Sequence, residues 1–181
     1  MPAAAEDGLS GREEGLAMPP PAPRPIARNY VWRLLSTDAR AIVSFVFMLL
    51  GAIFTLVGAG LTIGIVTAFI GIPFAVLGLL FLASGSVLGR QRYGEMRKIV
   101  EVLRIGEATE GGITGVEQNY HVRINGRNPW RIRYRFSLGG RTFDGQVSTL
   151  NTPGAALQPG RKAFVLYLPG EPAVNSLYPH P

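Results

Sequence analysis

The sequence predicts a membrane protein of the α+β class, in which a two-helix transmembrane hairpin precedes a small antiparallel β-sheet or barrel of five or six strands. Residues 41–89 contain no aspartate, glutamate, lysine or arginine, and after Gly106 the apolar residues recur at every second position. As one helix the charge-free run would be about 73 Å long, whereas a bilayer core is about 30 Å thick, so two spans fit better. The alternative is a buried helix pair in a soluble protein, but such helices rarely continue this far without a charge.

Composition excludes several kinds of site. The chain has no cysteine, and therefore no disulfide, thiolate metal site or cysteine nucleophile. Its two histidines, His121 and His180, are far apart, and no metal-binding spacing, GxSxG motif, paired carboxylates or P-loop accompanies them. We therefore expect no catalytic residue, metal site, cofactor or enzyme activity.

The N-terminal 25 residues are rich in Ala, Pro, Gly and Glu, and include the run PPPAPRP at 19–25. This composition cannot bury a core, so residues 1–25 are expected to form a disordered tail with local polyproline II structure.

Residues 26–40 form a predicted interfacial segment before the first span. Tyr30 and Trp32 lie beside Arg28 and Arg33, and amphipathic rings with basic neighbours suit the headgroup layer. The first helix can be capped by one of three consecutive polar residues, Ser36, Thr37 or Asp38.

The two spans are predicted near 40–61 and 66–88, with Gly60 and Gly64 allowing a tight reversal between them and Pro73 early in the second helix. Small residues recur at intervals of seven and are predicted to let the helix backbones approach: Ser44, Gly51, Gly58, Gly71, Gly78 and Gly85. The GxxxG pairs Gly60/Gly64 and Gly85/Gly89 could instead dimerise the chain, so its oligomeric state is left open. The second helix is expected to continue outside the membrane over 90–106 and to end at Gly106.

The β domain is predicted over 107–179, with strands at 107–117, 119–124, 130–138, 141–149, 162–168 and 173–178. The clearest strand is 130–138, because its apolar residues and arginines alternate. After it, Gly139-Gly140 predicts a two-residue hairpin turn. Pro159-Gly160 and Pro169-Gly170 both have the order of a type II turn, with glycine at the positive φ.

The register implied by that hairpin sets Phe136 opposite Phe143 and Ile132 opposite Val147 on the buried face, with Arg135 opposite Asp144 on the wet face. The predicted core of the domain is Trp130, Ile132, Tyr134, Phe136, Phe143, Val147, Phe164 and Leu166.

Five arginines of the β domain are the candidate binding residues: Arg123, Arg127, Arg131, Arg133 and Arg135. They could hold anionic lipid headgroups or, less favourably, nucleic acid, since the aromatic residues of the strand lie on its opposite face. The other interpretation is a solvated strand face with Arg135 paired to Asp144.

The C-terminal residues Gly160, Val165, Tyr167, Pro169 and Pro172 carry a Gly-x4-Val-x-Tyr-x-Pro-x2-Pro pattern. Together with VRINGRNP at 122–129 and the RYRF strand, it resembles a family of uncharacterised bacterial membrane proteins, a domain of unknown function, over residues 41–179. The chain departs from that pattern in having Leu168 and Glu171 instead of Asp and Asn. The resemblance implies a membrane hairpin followed by a small β domain.

The expected function is that of a membrane-anchored β domain that acts as an interaction or scaffold module. The alternatives are an accessory subunit of a larger membrane complex and a small barrel that binds lipid or nucleic acid through the arginines. Expected partners are the lipid bilayer and a membrane or cytoplasmic protein. Because both flanks of the spans are basic and their turn is uncharged, both termini are predicted to be cytoplasmic, at a bacterial inner membrane.

Overall fold

The computed structural model describes residues 18–64 and 66–181, and its architecture is α+β. Within these residues three helices precede five strands: α1 (Tyr30–Ser36), α2 (Ala39–Thr62), α3 (Ala68–Ile105), β1 (Glu107–Gln118), β2 (Trp130–Leu138), β3 (Arg141–Thr149), β4 (Lys162–Leu168) and β5 (Glu171–Tyr178). A short 3-10 helix, Ala155–Leu157, lies between β3 and β4. The predicted class is confirmed in outline, as two long apolar helices followed by a small antiparallel, barrel-like sheet.

Helices α2 and α3 form an antiparallel hairpin, and each is long and apolar enough to cross a membrane by length and composition. Helix α2 begins after Asp38, whose side chain accepts a hydrogen bond from Ala41 N at 2.9 Å. Helix α3 contains Pro73 near its start and runs unbroken over 38 residues to its C-cap, Gly106. The segment that was predicted to continue the second helix is therefore part of α3.

All six small residues of the seven-residue pattern are buried between α2 and α3. A Cβ added at Gly58 would lie 2.8 Å from Gly71 O, and one added at Gly85 would lie 2.8 Å from Ser44 O. Gly51 and Gly78 approach each other in the same way. The helix backbones thus touch at the three levels where side chains are small or absent. Gly60 lies off this contact, since an added Cβ there meets nothing within 4 Å.

The strand order is β3-β2-β1-β4-β5, and all pairs are antiparallel. The central strand, β1, pairs with β4 over its first half and with β2 over its second, with an irregularity in the β2 ladder between Ile113 and Gly115. A Cβ added at Gly111 would lie 2.7 Å from Arg135 O, so this bend of β1 requires glycine. The resulting sheet is curled and nearly closed.

The β2–β3 hairpin has the predicted register, with Phe136 opposite Phe143, Ile132 opposite Val147 and Arg135 opposite Asp144. Gly139 and Gly140 form its turn with φ values of 53° and 78°, as a two-residue hairpin loop requires.

The predicted facing of β4 is wrong. Ala163 and Val165, not Phe164 and Leu166, pack in the barrel core. Leu166 is fully buried on the other face of the strand, in a second cluster with Val102 and Leu103 of α3. The C-terminal part of α3 covers the outer face of β4, so both faces of this strand are buried.

The two proline–glycine turns differ. Gly160 has a φ of 84°, and Arg161 N donates to Gln158 O at 3.1 Å, as in the predicted type II turn. Pro169-Gly170 also forms a turn, but Gly170 lacks the positive φ, so the type II prediction is wrong there. Strand β5 begins at Glu171, directly after the turn, and the β4–β5 register shifts at this end.

Arg24 belongs to the stretch 1–25 that was predicted to be a disordered tail, and it contacts the end of α3. Residues 1–17 lie outside the described part of the chain. Arg24 is only 8% exposed. Its side chain donates to Gly106 O at 2.9 Å and to Pro20 O at 2.8 Å, and its backbone N–H donates to Arg104 O at 2.8 Å. The C-terminal carbonyls of a helix lack partners within it and attract cations, so Arg24 stabilises the end of α3.

Candidate functional site

The α1–α2 corner is fixed to α3 by an ion pair between Asp38 and Arg92. The Arg92 Nε also donates to Asp38 Oδ1 at 3.1 Å, and the same guanidinium contacts Glu95. Burial alone would raise the pKa of the Asp38 carboxyl. The hydrogen bonds from Arg92 and Ala41 N outweigh burial, so the pKa lies below its ordinary value.

Beside this corner, an open groove of about 930 Å³ lies between α1, α2 and α3. Its walls are mainly apolar and aromatic, and include Trp32, Leu35, Ile42, Phe45, Leu49 and Tyr93. The Trp32 and Tyr93 rings lie 6.1 Å apart at one end. Arg90 of α3 and Asn125 of the β1–β2 loop also line the groove.

The loop that reaches this groove, residues 119–129, was predicted to begin with a strand over 119–124, and that prediction is wrong. Asn125 and Gly126, with φ values of 50° and 78°, form a tight turn. It is closed by reciprocal hydrogen bonds between Ile124 and Arg127. The Asn128 side chain donates to Val122 O at 2.9 Å. The Val122 carbonyl thus bonds to a side-chain amide rather than to the backbone of a neighbouring strand.

The five arginines do not act as one patch, because two of them are paired with carboxylates. Arg133 forms an ion pair with Glu117, and Arg135 donates to Asp144 at 2.7 Å. The hydrogen bond and charge of Asp144 raise the pKa of Arg135. In the described part of the chain, the other three have no carboxylate within 4 Å: Arg123, Arg127 and Arg131. Arg123 and Arg127 flank the Asn125 turn and are exposed.

A second, polar cleft of about 730 Å³ lies beside Arg133 and Arg135. The Tyr134 hydroxyl in it donates to Asn175 Oδ1 at 2.8 Å, and Asn175 Nδ2 donates to Pro172 O at 3.0 Å. Burial raises the pKa of the Tyr134 phenol. Within 18–64 and 66–181, every buried side-chain nitrogen and oxygen has a partner. The buried Tyr134 hydroxyl of the cleft is therefore already bonded, to Asn175.

The described residues contain no cluster of three His, Asp or Glu side chains that could hold a metal ion. His180 packs edge-on against Tyr30, with ring centroids 6.0 Å apart, and burial lowers its pKa. His121 lies in the exposed part of the β1–β2 loop. The two histidines thus have separate surroundings.

The residues of the C-terminal sequence pattern have structural positions. Gly160 forms the turn before β4, Val165 is buried in the barrel core, and Tyr167 packs against that core. Pro169 lies in the β4–β5 turn. Comparison with known proteins finds no matching family model, no matching curated protein and no matching solved structure, so the resemblance to a bacterial membrane family stays a prediction.

Proposed function

We propose that this protein is an integral membrane protein whose helical hairpin holds the β domain at the membrane surface, where the domain serves as an interaction or scaffold module. The observation that carries the proposal is the outward face of α2 and α3. Only 22% and 17% of their most apolar windows are buried, whereas a core helix of a soluble protein is mostly buried. Large apolar side chains cover this face, among them Phe45, Leu49, Leu56, Phe69 and Leu80.

In water such a surface is unfavourable, because burying one large apolar side chain contributes about 1.5–3 kcal/mol. In hydrocarbon the same apolar surface has apolar surroundings, and the backbone N–H and C=O groups form their hydrogen bonds within each helix. Helix α2 is about 36 Å long at 1.5 Å per residue, which is sufficient for a bilayer core of about 30 Å.

The proposed location of the β domain is the cytoplasmic surface of a bacterial inner membrane. The N-terminal segment and the β domain lie at the same end of the hairpin, since Tyr30 contacts His180 and Arg24 contacts Gly106. Basic residues concentrate at this end, and the connection over 63–67 has no charge. Positive flanks remain on the cytoplasmic side.

A second candidate is an accessory subunit of a larger membrane complex. The same exposed faces of α2 and α3 favour it, because other transmembrane helices could pack on them. The two candidates share membrane insertion and differ in whether a partner contacts the hairpin or the β domain.

Extraction of membranes with alkaline carbonate and with high salt tests insertion. The full chain is expected to stay in the membrane pellet, because apolar burial is not screened by salt. Leu80→Arg should weaken retention, since an arginine near mid-membrane costs about 2.5–3.5 kcal/mol. The control is Tyr120→Arg in the exposed β1–β2 loop, which should have no effect. Release of the unmodified chain into the soluble fraction would contradict the proposal.

A further inference from the structure

The groove at the base of the hairpin combines an apolar wall with a cationic mouth. Phe45 and Leu49 of its wall are more than 60% exposed. Arg90 is the first charged residue after the charge-free run and lines the same groove. If the hairpin spans the bilayer, the guanidinium lies where the hydrocarbon ends and the headgroups begin.

The mouth of the groove also has polar and aromatic neighbours. Asn125 contributes an amide from the tight turn of the β1–β2 loop, while Trp32 and Tyr93 form its aromatic side. Such rings are typical of the membrane interface. Among the described residues, no carboxylate lies within 4 Å of Arg90, so its charge is available to a ligand.

We propose that this groove binds one anionic phospholipid, with an acyl chain along the wall at Phe45 and Leu49 and the phosphate at Arg90 and Asn125. The proposal rests on membrane insertion as proposed above. The volume of about 930 Å³ lies within the range of about 300–1,000 Å³ that is common for ligand sites. Arg123 and Arg127, which are exposed and flank the turn, add positive charge on either side of Asn125 in the sequence.

A lipid fits this site better than a transmembrane helix of another protein. A helix would have to carry an anionic side chain at the depth of Arg90, since it would otherwise cover this cation without giving it a partner, which is costly. An anionic phospholipid brings a phosphate at this depth together with apolar chains. The site therefore joins the hairpin to the β domain through a lipid that contacts α3 and the β1–β2 loop.

The tryptophans of the chain allow a direct test. There are two, Trp32 and Trp130, so Trp130→Phe leaves only the tryptophan of the groove. The full chain is reconstituted into vesicles of phosphatidylglycerol and phosphatidylcholine in equal amounts. Bromine atoms, which quench tryptophan on contact, are placed on the acyl chains of one lipid at a time. Phosphatidylglycerol should be enriched at Trp32 by about fivefold, the preference expected for one basic side chain near the surface.

Variants of α3 separate a defined site from general attraction to a basic protein. Arg90→Gln should abolish the preference for phosphatidylglycerol, and Arg90→Lys should retain it. Arg97→Gln is the matched control, since it removes the same charge two turns further along α3, about 10 Å from Arg90. Unchanged quenching of Arg90→Gln by brominated phosphatidylcholine would show that this variant still inserts.

The outcomes are distinguishable. Equal quenching by the two brominated lipids, a preference that survives Arg90→Gln, or one that is lost equally in Arg97→Gln would overturn the lipid site and leave membrane insertion intact. Quenching by neither lipid would contradict insertion itself, and the lipid site with it.

Discussion

Tyr134 joins the two edges of the curled sheet. Its ring is fully buried in the core and lies directly over Gly145 of β3, where a Cβ would collide with it. Its hydroxyl reaches Asn175 of β5 at 2.8 Å. One side chain of β2 thus contacts both β3 and β5, the strands that end the sheet.

Tyr134→Phe should therefore lower the free energy of unfolding of the β domain by about 1–2 kcal/mol, because it removes a hydrogen bond and leaves the Asn175 oxygen unpaired. Thermal unfolding of the full chain, followed by Trp130 fluorescence in a Trp32→Phe background, measures the change. Tyr120→Phe is the matched control, since Tyr120 is 74% exposed, and should have little effect. Equal stability of the two variants would show that the hydroxyl does not hold the edges together.

Asp38 gives the corner of the hairpin a dependence on pH. Its folded-state pKa lies below the ordinary value of 3.8, so its stabilising contribution is complete above that value and is lost as pH falls through the folded pKa. Asp38→Asn should remove this acid sensitivity, because asparagine still caps α2 but cannot form the ion pair with Arg92. Asp38→Ala should cost about 1 kcal/mol more than Asp38→Asn through loss of the cap. Unfolding of the full chain in detergent as pH is lowered tests both, and unchanged acid sensitivity in Asp38→Asn would assign it to another group.

At the level of elements, the hairpin depends on contact between backbones. The small residues of α2 face those of α3, and at Gly58 an added methyl group would meet the backbone of Gly71 and Ala75. At Gly60, one half-turn away, it would meet open space. The two glycines therefore have opposite roles in the same helix.

Gly58→Ala should destabilise the hairpin by about 1–3 kcal/mol, the usual cost of inserting volume into a packed interface. Gly60→Ala should be neutral or slightly stabilising, because alanine favours helix. The sodium dodecyl sulfate fraction that half-unfolds the reconstituted protein is the measure. A similar loss in both variants would indicate that the seven-residue pattern does not define the contact.

Sequence patterns predict those elements whose neighbours are encoded locally. The β2–β3 hairpin could be predicted residue by residue, because its strand alternates strictly and Gly139-Gly140 fixes the register. The facing of β4 could not be predicted, because both of its faces are apolar. One face packs in the barrel core and the other is covered by α3. The role of Arg24 also could not be predicted, because a proline-rich segment gives no sign that it caps a distant helix.

The groove that is proposed to bind a lipid could not be predicted from the sequence either. Tyr30 and Trp32 beside arginines indicated an interfacial segment, but the groove also needs Asn125, which follows Trp32 by some ninety positions in the chain. Only the folded β1–β2 loop brings them to one surface. The alternating pattern of β2, by contrast, correctly predicted the ion pair between Arg135 and Asp144. It gave no sign that Arg133 would pair with Glu117.

At the level of the whole molecule, the N-terminal segment and the end of β5 meet. Tyr30 and Ile26 pack against the α3–β4 cluster, and His180 contacts Tyr30. The two ends of the described chain therefore share one side of any membrane that the hairpin crosses.

We expect that side to be the cytoplasm. A reporter fused after Pro181 should give fluorescent green fluorescent protein and inactive alkaline phosphatase, and the same pair of reporters fused before Met18 should agree. Active alkaline phosphatase after Pro181 would place the β domain outside and contradict the orientation. Opposite results from the two fusion sites would contradict the hairpin.

The unbroken course of α3 has a mechanical consequence. Sixteen of its residues, 90–105, extend beyond the charge-free run. They form an arm of about 24 Å, and only Gly106 separates the helix from β1. Arg24 and the contacts of Val102 and Leu103 with β4 stiffen this joint. Transmembrane helices change tilt when bilayer thickness changes. If the hairpin spans a bilayer as proposed, a tilt of about 10° would swing the base of the β domain sideways by about 4 Å. The thickness of the bilayer would then set the position of this domain above the membrane.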